Sequence, residues 1–264
     1  MLNETTTNNF TENQMNDAHA LLDSNGKQHQ ASRRTALKVA LGVGYTAAAG
    51  DIMAQTAIKT SSDGLKTGEI TVEVNGFKVP AFMAAPAGKT NLPVILVIQE
   101  IFGVHEYIAD TARRFAKMGY LAIAPELFAR QGDPTAYGAT ADLIREIVSK
   151  VPDAQVMADI DGMVTWAGAN RGDPNKVAIT GFCWGVRLNS LYAEHNKSVK
   201  AGVAWYGRLE GAPNPLSPSN PIDLVDNING PALGLYGGAE TGIPVASVDK
   251  MKAALANGSA AAKK

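Results

Sequence analysis

From about Thr67 onward, apolar residues fall in short blocks whose period switches between two and nearly four. Glu69 to Val74 alternates polar and apolar, as a half-buried strand does, and Asn75-Gly76 then supplies a hairpin turn signal. Lys78 to Ala84 is the expected returning strand. Pro93 to Ile98 is a continuous apolar run, the signature of a strand covered on both faces. Tyr107 to Met118 carries apolar residues at helical spacing (Ile108, Ala112, Phe115, Ala116), and Gly119 stands where a helix would stop. Tyr120 to Ala124 reads as another buried strand and Asp153 to Trp166 as a second helix. Lys176 to Thr180 is a strand, with a helix following from Trp184. Ala201 to Trp205 and Ala232 to Tyr236 read as strands, and Pro244 to Leu255 as a helix with proline in its first turn. Strands alternating with helices predict an α/β fold with a mostly parallel, doubly wound sheet. Sites in such sheets lie beyond the carboxyl ends of the strands.

The region before this pattern is different. Residues 1–31 are polar and carry no apolar periodicity, so they are expected to be disordered. Ser32-Arg33-Arg34-Thr35-Ala36-Leu37-Lys38 follows, then a mildly apolar stretch of small residues from Val39 to Ala49. That order resembles a twin-arginine export signal and predicts a periplasmic or secreted protein, with cleavage near Ala54 or Ala57. The stretch is shorter than the roughly 20 apolar residues a membrane span needs. The chain thus divides into an export region, 1–57, and a catalytic-type domain, 58–264.

The composition narrows the function. The 264 residues carry a formal net charge of -1 and are 45% hydrophobic, enough for one sizeable core. No basic cluster follows the N-terminal region, which argues against nucleic acid. A single cysteine excludes an intramolecular disulfide, and with four histidines it leaves little material for a metal centre. No cofactor is expected, and a monomer is the default.

That cysteine lies in Gly181-Phe182-Cys183-Trp184-Gly185, between an expected strand and an expected helix. The pattern has the form of a G-x-S-x-G nucleophile elbow with cysteine in place of serine. Glycines are needed there because side chains would strike the adjacent strand and helix. The positive end of the following helix favours a thiolate, and the Trp184 N–H would face a developing oxyanion. The alternative is a buried structural cysteine.

Four collinear segments sharpen this. Gln99 to Val104 (QEIFGV) and Gly181 to Leu188 (GFCWGVRL) resemble the two signature segments of the dienelactone hydrolase family. Pro125 to Gly132 (PELFARQG) is similar to a third, and Leu235 to Pro244 (LYGGAETGIP) to the segment carrying the family's triad acid. The resemblance runs from about residue 67 to the end. It implies an α/β-hydrolase that opens an ester or enol-lactone through a cysteine acyl-enzyme. Cys183 would be the nucleophile, Glu100 the activating carboxylate, and the N–H groups of Ile101 and Trp184 the oxyanion hole. Arg130 would bind a substrate carboxylate, so the substrate is expected to be a small anionic ester or lactone.

Two departures stand out. Glu240 occupies the place of the family's aspartate, and no histidine follows it. The family continues with a strand, a histidine-bearing loop and a helix, so the domain is expected to be C-terminally incomplete. Of the other histidines, His105 follows the Glu100 loop and reads as structural or exposed, and His195 as a surface residue. Two further readings stay open: a relic that binds small carboxylates, and a thiol sensor built on Cys183.

Overall fold

The computed structural model describes residues 58–240 and 242–260. The expected export region, 1–57, lies outside them. A seven-stranded sheet with the order β1-β2-β4-β3-β5-β6-β7 forms the centre. Strand β1 (Leu65–Val74) pairs antiparallel with β2 (Phe77–Pro86), joined at Asn75 and Gly76, both at positive φ. Two positive-φ residues are what a tight hairpin of this twist demands. Strand β2 pairs antiparallel with β4 (Leu121–Pro125). From there the sheet is parallel: β4 beside β3 (Leu92–Ile98), then β5 (Gly172–Phe182), β6 (Val199–Trp205) and β7 (Ala232–Leu235).

The continuous apolar run of β3 serves two cores. Val94, Leu96 and Ile98 face one core, shared with α3 (Asp153–Ala169) and α4 (Trp184–His195). Ile95 and Val97 face the other, with α1 (Glu106–Lys117). Small residues dominate the α1 side: Ala109, Ala112 and Ala116 of the helix meet a layer that includes Ala84, Ala122 and Ala124. Small side chains on both surfaces let the helix lie close to the sheet. Gly119, at φ 99°, follows the C-cap Met118 and turns the chain into β4.

Strands run longer than the pattern suggested: β1 and β5 begin earlier, in segments that include polar residues, and β2 takes in Phe77, Ala85 and Pro86. The expected helix at 244 begins one residue later: Pro244 is the cap of α5 (Val245–Asn257). One helix was not expected, α2 (Thr140–Glu146). It buries only Leu143 and Ile144 and has no side-chain cap, so its sequence carries little periodic signal. No described helix is long and apolar enough to cross a membrane.

Chain order reverses around β3, since β4 lies on one side of it and β5 on the other. Such a switch point opens a crevice at the carboxyl ends of those strands. One tie stiffens the opposite flank. Arg130, beyond β4, pairs with Asp159 on α3, donates to the Val74 carbonyl at 3.1 Å and lies over the Phe77 ring at 4.5 Å. Asp159 is 1% exposed, and burial pushes its pKa up against the pull of Arg130. Removing the guanidinium leaves a buried, unpaired carboxyl. Arg130→Ala is expected to lower unfolding stability by about 3 kcal/mol in a denaturant titration. Adding Asp159→Asn should recover part of that loss, and parent-like stability of the single variant would disprove the tie.

Candidate active site

Cys183 forms the turn between β5 and α4. Its backbone is at φ 50° and ψ -110°, a conformation few non-glycine residues adopt. It is held there from both sides. Its N–H donates to the Trp205 carbonyl at 3.0 Å, and its own carbonyl accepts from the Val186 N–H at 3.1 Å. Three glycines make the crowding tolerable. A Cβ on Gly181 would sit 2.3 Å from the Gly185 carbonyl oxygen, and one on Gly185 would sit 2.7 Å from that of Gln99. A Cβ on Gly207 would lie 2.3 Å from the Cys183 carbonyl oxygen. The elbow is therefore clamped between the ends of β3 and β6.

The register of β3 and β5 sets Ile98 opposite Gly181. Two residues further along each strand stand Glu100 and Cys183. Glu100 is buried, and its Oε1 meets His105 Nε2 at 2.6 Å. His105 is also buried and caps α1: its Nδ1 accepts from the Tyr107 N–H at 3.3 Å. Glu100 Oε2 has no partner, nor does either amide atom of Gln99 beside it.

A second carboxyl underlies this loop. Glu126 Oε1 accepts from the Val104 N–H at 2.7 Å, and Gly103, at φ 82°, passes so close that a Cβ would lie 3.2 Å from Oε2. Burial raises the Glu126 pKa to about 8, with smaller pushes from Asp133, Glu100 and Glu69. Tyr206 closes the other side, just beyond β6, at φ 45°. Burial chiefly, then Glu100 and Cys183, keep its phenol protonated. Phe182 lies under this layer, stacked on Trp205 at 5.8 Å and edge-on to Tyr107 at 5.8 Å.

The expected residues divide. Cys183, Glu100, Ile101 and Trp184 all stand at the carboxyl ends of β3 and β5. As the first residue of α4, Trp184 has a backbone N–H with no acceptor inside the helix, and its ring packs on Phe128 at 4.7 Å. Ile101 is buried in the loop. Glu240 is turned into its own loop, where its Oε1 accepts from the Gly242 N–H at 2.7 Å. Arg130 needs correction: Asp159 and Val74 occupy its guanidinium, so it is a structural tie rather than an open anion ligand. His105 is buried, paired with Glu100 and capping α1, so of the two expected readings it is not exposed. His195 pairs with Asp161 at 2.7 Å near the far end of α4, roughly 17 Å along the helix from Cys183. Tyr206 and Glu126 were not anticipated, although both follow the ends of buried strands where sites gather. Among the described residues no group of three or more His, Cys, Asp or Glu side chains could hold a metal ion.

A mainly parallel sheet with a strained strand–turn–helix at its switch point defines an α/β-hydrolase. The dienelactone hydrolase family model matches residues 79–263. A Methylorubrum extorquens protein named "Putative carboxymethylenebutenolidase" is 50% identical over 234 residues, 88% of this chain and 80% of the relative. The Escherichia coli strain K12 protein of the same name is 48% identical over 204 residues, 77% of this chain and 75% of the relative. The crystal structure of a "Putative Dienelactone Hydrolase" from Klebsiella pneumoniae superposes with a TM-score of 0.72 at 49% identity, covering 74% of this chain and 82% of that one. The chain belongs to the dienelactone hydrolase family.

Glu126 offers a direct check on the electrostatics. It binds its proton more tightly folded than unfolded. The stability it contributes is complete below about pH 4.5 and is lost as pH rises through about 8. Glu126→Gln keeps the shape and cannot titrate. Urea unfolding should find this variant close to the parent at acid pH and more stable by roughly 4 kcal/mol above pH ~8. A difference that stays constant with pH would show that Glu126 is charged in the fold.

Proposed function

We propose that the chain hydrolyses small carboxylic esters or enol-lactones through a thioester on Cys183, with Glu100 as the proton acceptor. The observation that carries this is the alignment of Cys183 and Glu100 two residues beyond the paired positions Gly181 and Ile98. Sγ attacks the acyl carbon while its proton passes to Glu100 Oε2, the carboxylate oxygen that makes no hydrogen bond. The N–H groups of Ile101 and Trp184 take the developing oxyanion. The C–O bond breaks, and the leaving oxygen departs as an alkoxide or enolate that the Glu100 proton neutralises. Water then attacks the thioester, gives a proton to Glu100, and the acid leaves as thiolate re-forms and is reprotonated. A carboxylate is a weak base, which suits substrates whose leaving group is already stabilised, such as an enolate. With its guanidinium engaged by Asp159 and Val74, Arg130 lends no support to an anionic substrate.

Cys183→Ala should abolish turnover of an activated aryl ester, and Glu100→Gln should lower kcat/KM by about a hundredfold or more. Turnover by the alanine variant at the parent rate would refute the thioester.

The sequence pattern around Arg33 and Arg34 further supports twin-arginine export of the folded domain. Replacing both arginines by lysine should leave the precursor in the cytoplasm on fractionation, and unchanged export would rule the signal out.

A further inference from the structure

Three Asn-Gly pairs stand among the described residues: Asn75-Gly76, Asn229-Gly230 and Asn257-Gly258. Such a pair can rearrange without an enzyme. The glycine nitrogen attacks the asparagine Cγ, and the new C–N bond closes an imide ring. The side-chain nitrogen leaves as ammonia, carrying the proton that the glycine gave up. Water then opens the imide at either carbonyl. One opening leaves aspartate. The other leaves isoaspartate, whose main chain runs through the former side chain and is one methylene longer. Glycine permits the reaction because no Cβ hinders its nitrogen. We propose that Asn75 is a site of this modification, left open by the β1–β2 hairpin where the fold protects the other two pairs.

Asn229 is held by three bonds. Its Nδ2 donates to the Ala193 and Glu194 carbonyls at 2.9 and 2.7 Å, and its N–H to the Ala193 carbonyl at 3.2 Å. Gly230 packs against the start of β6, where a Cβ would sit 3.0 Å from the Val199 carbonyl oxygen. Asn257 ends α5 with its Nδ2 on the Ala253 carbonyl at 2.9 Å, and the nitrogen that would attack it, that of Gly258, already donates to the Leu255 carbonyl at 3.2 Å. Asn75 has none of these restraints. Both it and Gly76 are exposed, and neither its side chain nor the Gly76 N–H makes a hydrogen bond. The turn must leave its present φ values of 52° and 76° for the ring to close, and only the Val74–Phe77 pair at the hairpin end has to loosen for that. The position also gives the modification a consequence. Val74 and Phe77, on either side of the turn, are the two hairpin contacts of Arg130. An extra methylene between them moves one against the other and slackens the tie to Asp159, whereas an aspartate with an ordinary main chain does not.

The test is to age the full chain in mildly alkaline buffer, digest it with trypsin and locate each amide-to-acid change by mass spectrometry. The peptide from Thr67 to Lys78 contains Asn75 and no other side-chain amide, so its conversion is read without ambiguity. In the folded chain Asn75 should convert at least about tenfold faster than Asn229 or Asn257, the protection that hydrogen bonds of this kind give. In urea strong enough to unfold the chain, the three should convert at similar rates. The isoaspartate form, separated by chromatography, should unfold at a lower urea concentration than the parent, and Asn75→Asp close to the parent. Asn75→Gly keeps a residue suited to positive φ and has no amide to lose, so ageing should not move its urea midpoint. An Asn75 that stays intact, equal rates at the three sites in the folded chain, or a rate order that persists in urea would overturn the site. An isoaspartate form as stable as the parent would overturn its link to Arg130.

Discussion

The backbone of Cys183 is the constraint around which the site is arranged. At φ 50° and ψ -110° the residue has little intrinsic stability, and such strain persists only where neighbours over-determine it. Here most of the neighbours are main chain, with the Val186 and Ile98 side chains beside them. Trp205 takes its N–H, Val186 takes its carbonyl, and Gly181, Gly185 and Gly207 bring the strand, helix and β6 loop within distances no Cβ could share. The side chain is thereby lifted out of the sheet at the one place where chain order reverses. Because β3 and β5 are in register up to Ile98 and Gly181, the same clamp that fixes the cysteine fixes the residue two beyond Ile98. Position follows from backbone geometry, and long flexible side chains contribute little to it.

Electrostatics then decide what that geometry can do. Two carboxyls, Glu100 and Glu126, are buried near the loop, and Glu100 adds a small upward push to the Glu126 pKa. Like charges so placed could not both ionise at modest cost. Burial is what keeps Glu126 protonated. Glu100 has a ring donor at 2.6 Å, whereas Glu126 has one backbone N–H and deeper burial, which raises its pKa to about 8. Glu126 is thereby held neutral at pH 7. The neutral one keeps the loop from 100 to 104 folded without adding a competing negative charge near the thiol.

Much of this was legible in the chain, because it depends on local chemistry. The Asn75-Gly76 turn, the unbroken apolar run of β3 and the glycines around Cys183 each state their own backbone requirement. Contacts made by closure of distant segments were not legible. His105 carries no periodic signal, and its value comes from facing back onto Glu100 across its own loop. Tyr206 enters the site only because β6 pairs with β5. Arg130 is the instructive failure. Resemblance carries over a position but not the partner that occupies it, and Asp159 lies 29 residues away on a helix face that spacing alone cannot orient.

The weak base also argues for the kind of reaction. In a serine elbow, a strong base is needed because an alcohol must lose its proton before attack. A thiol is more acidic by several pKa units and intrinsically more nucleophilic, so a carboxylate can serve at smaller cost. On the proposed route the difficulty moves to the leaving group, which departs with the proton Glu100 has received. An enolate or a phenolate can do so, and an amide nitrogen cannot without a stronger acid beside it. On the proposed thioester route, a carboxylate as proton carrier therefore favours activated esters and enol-lactones over peptides, on grounds of proton affinity.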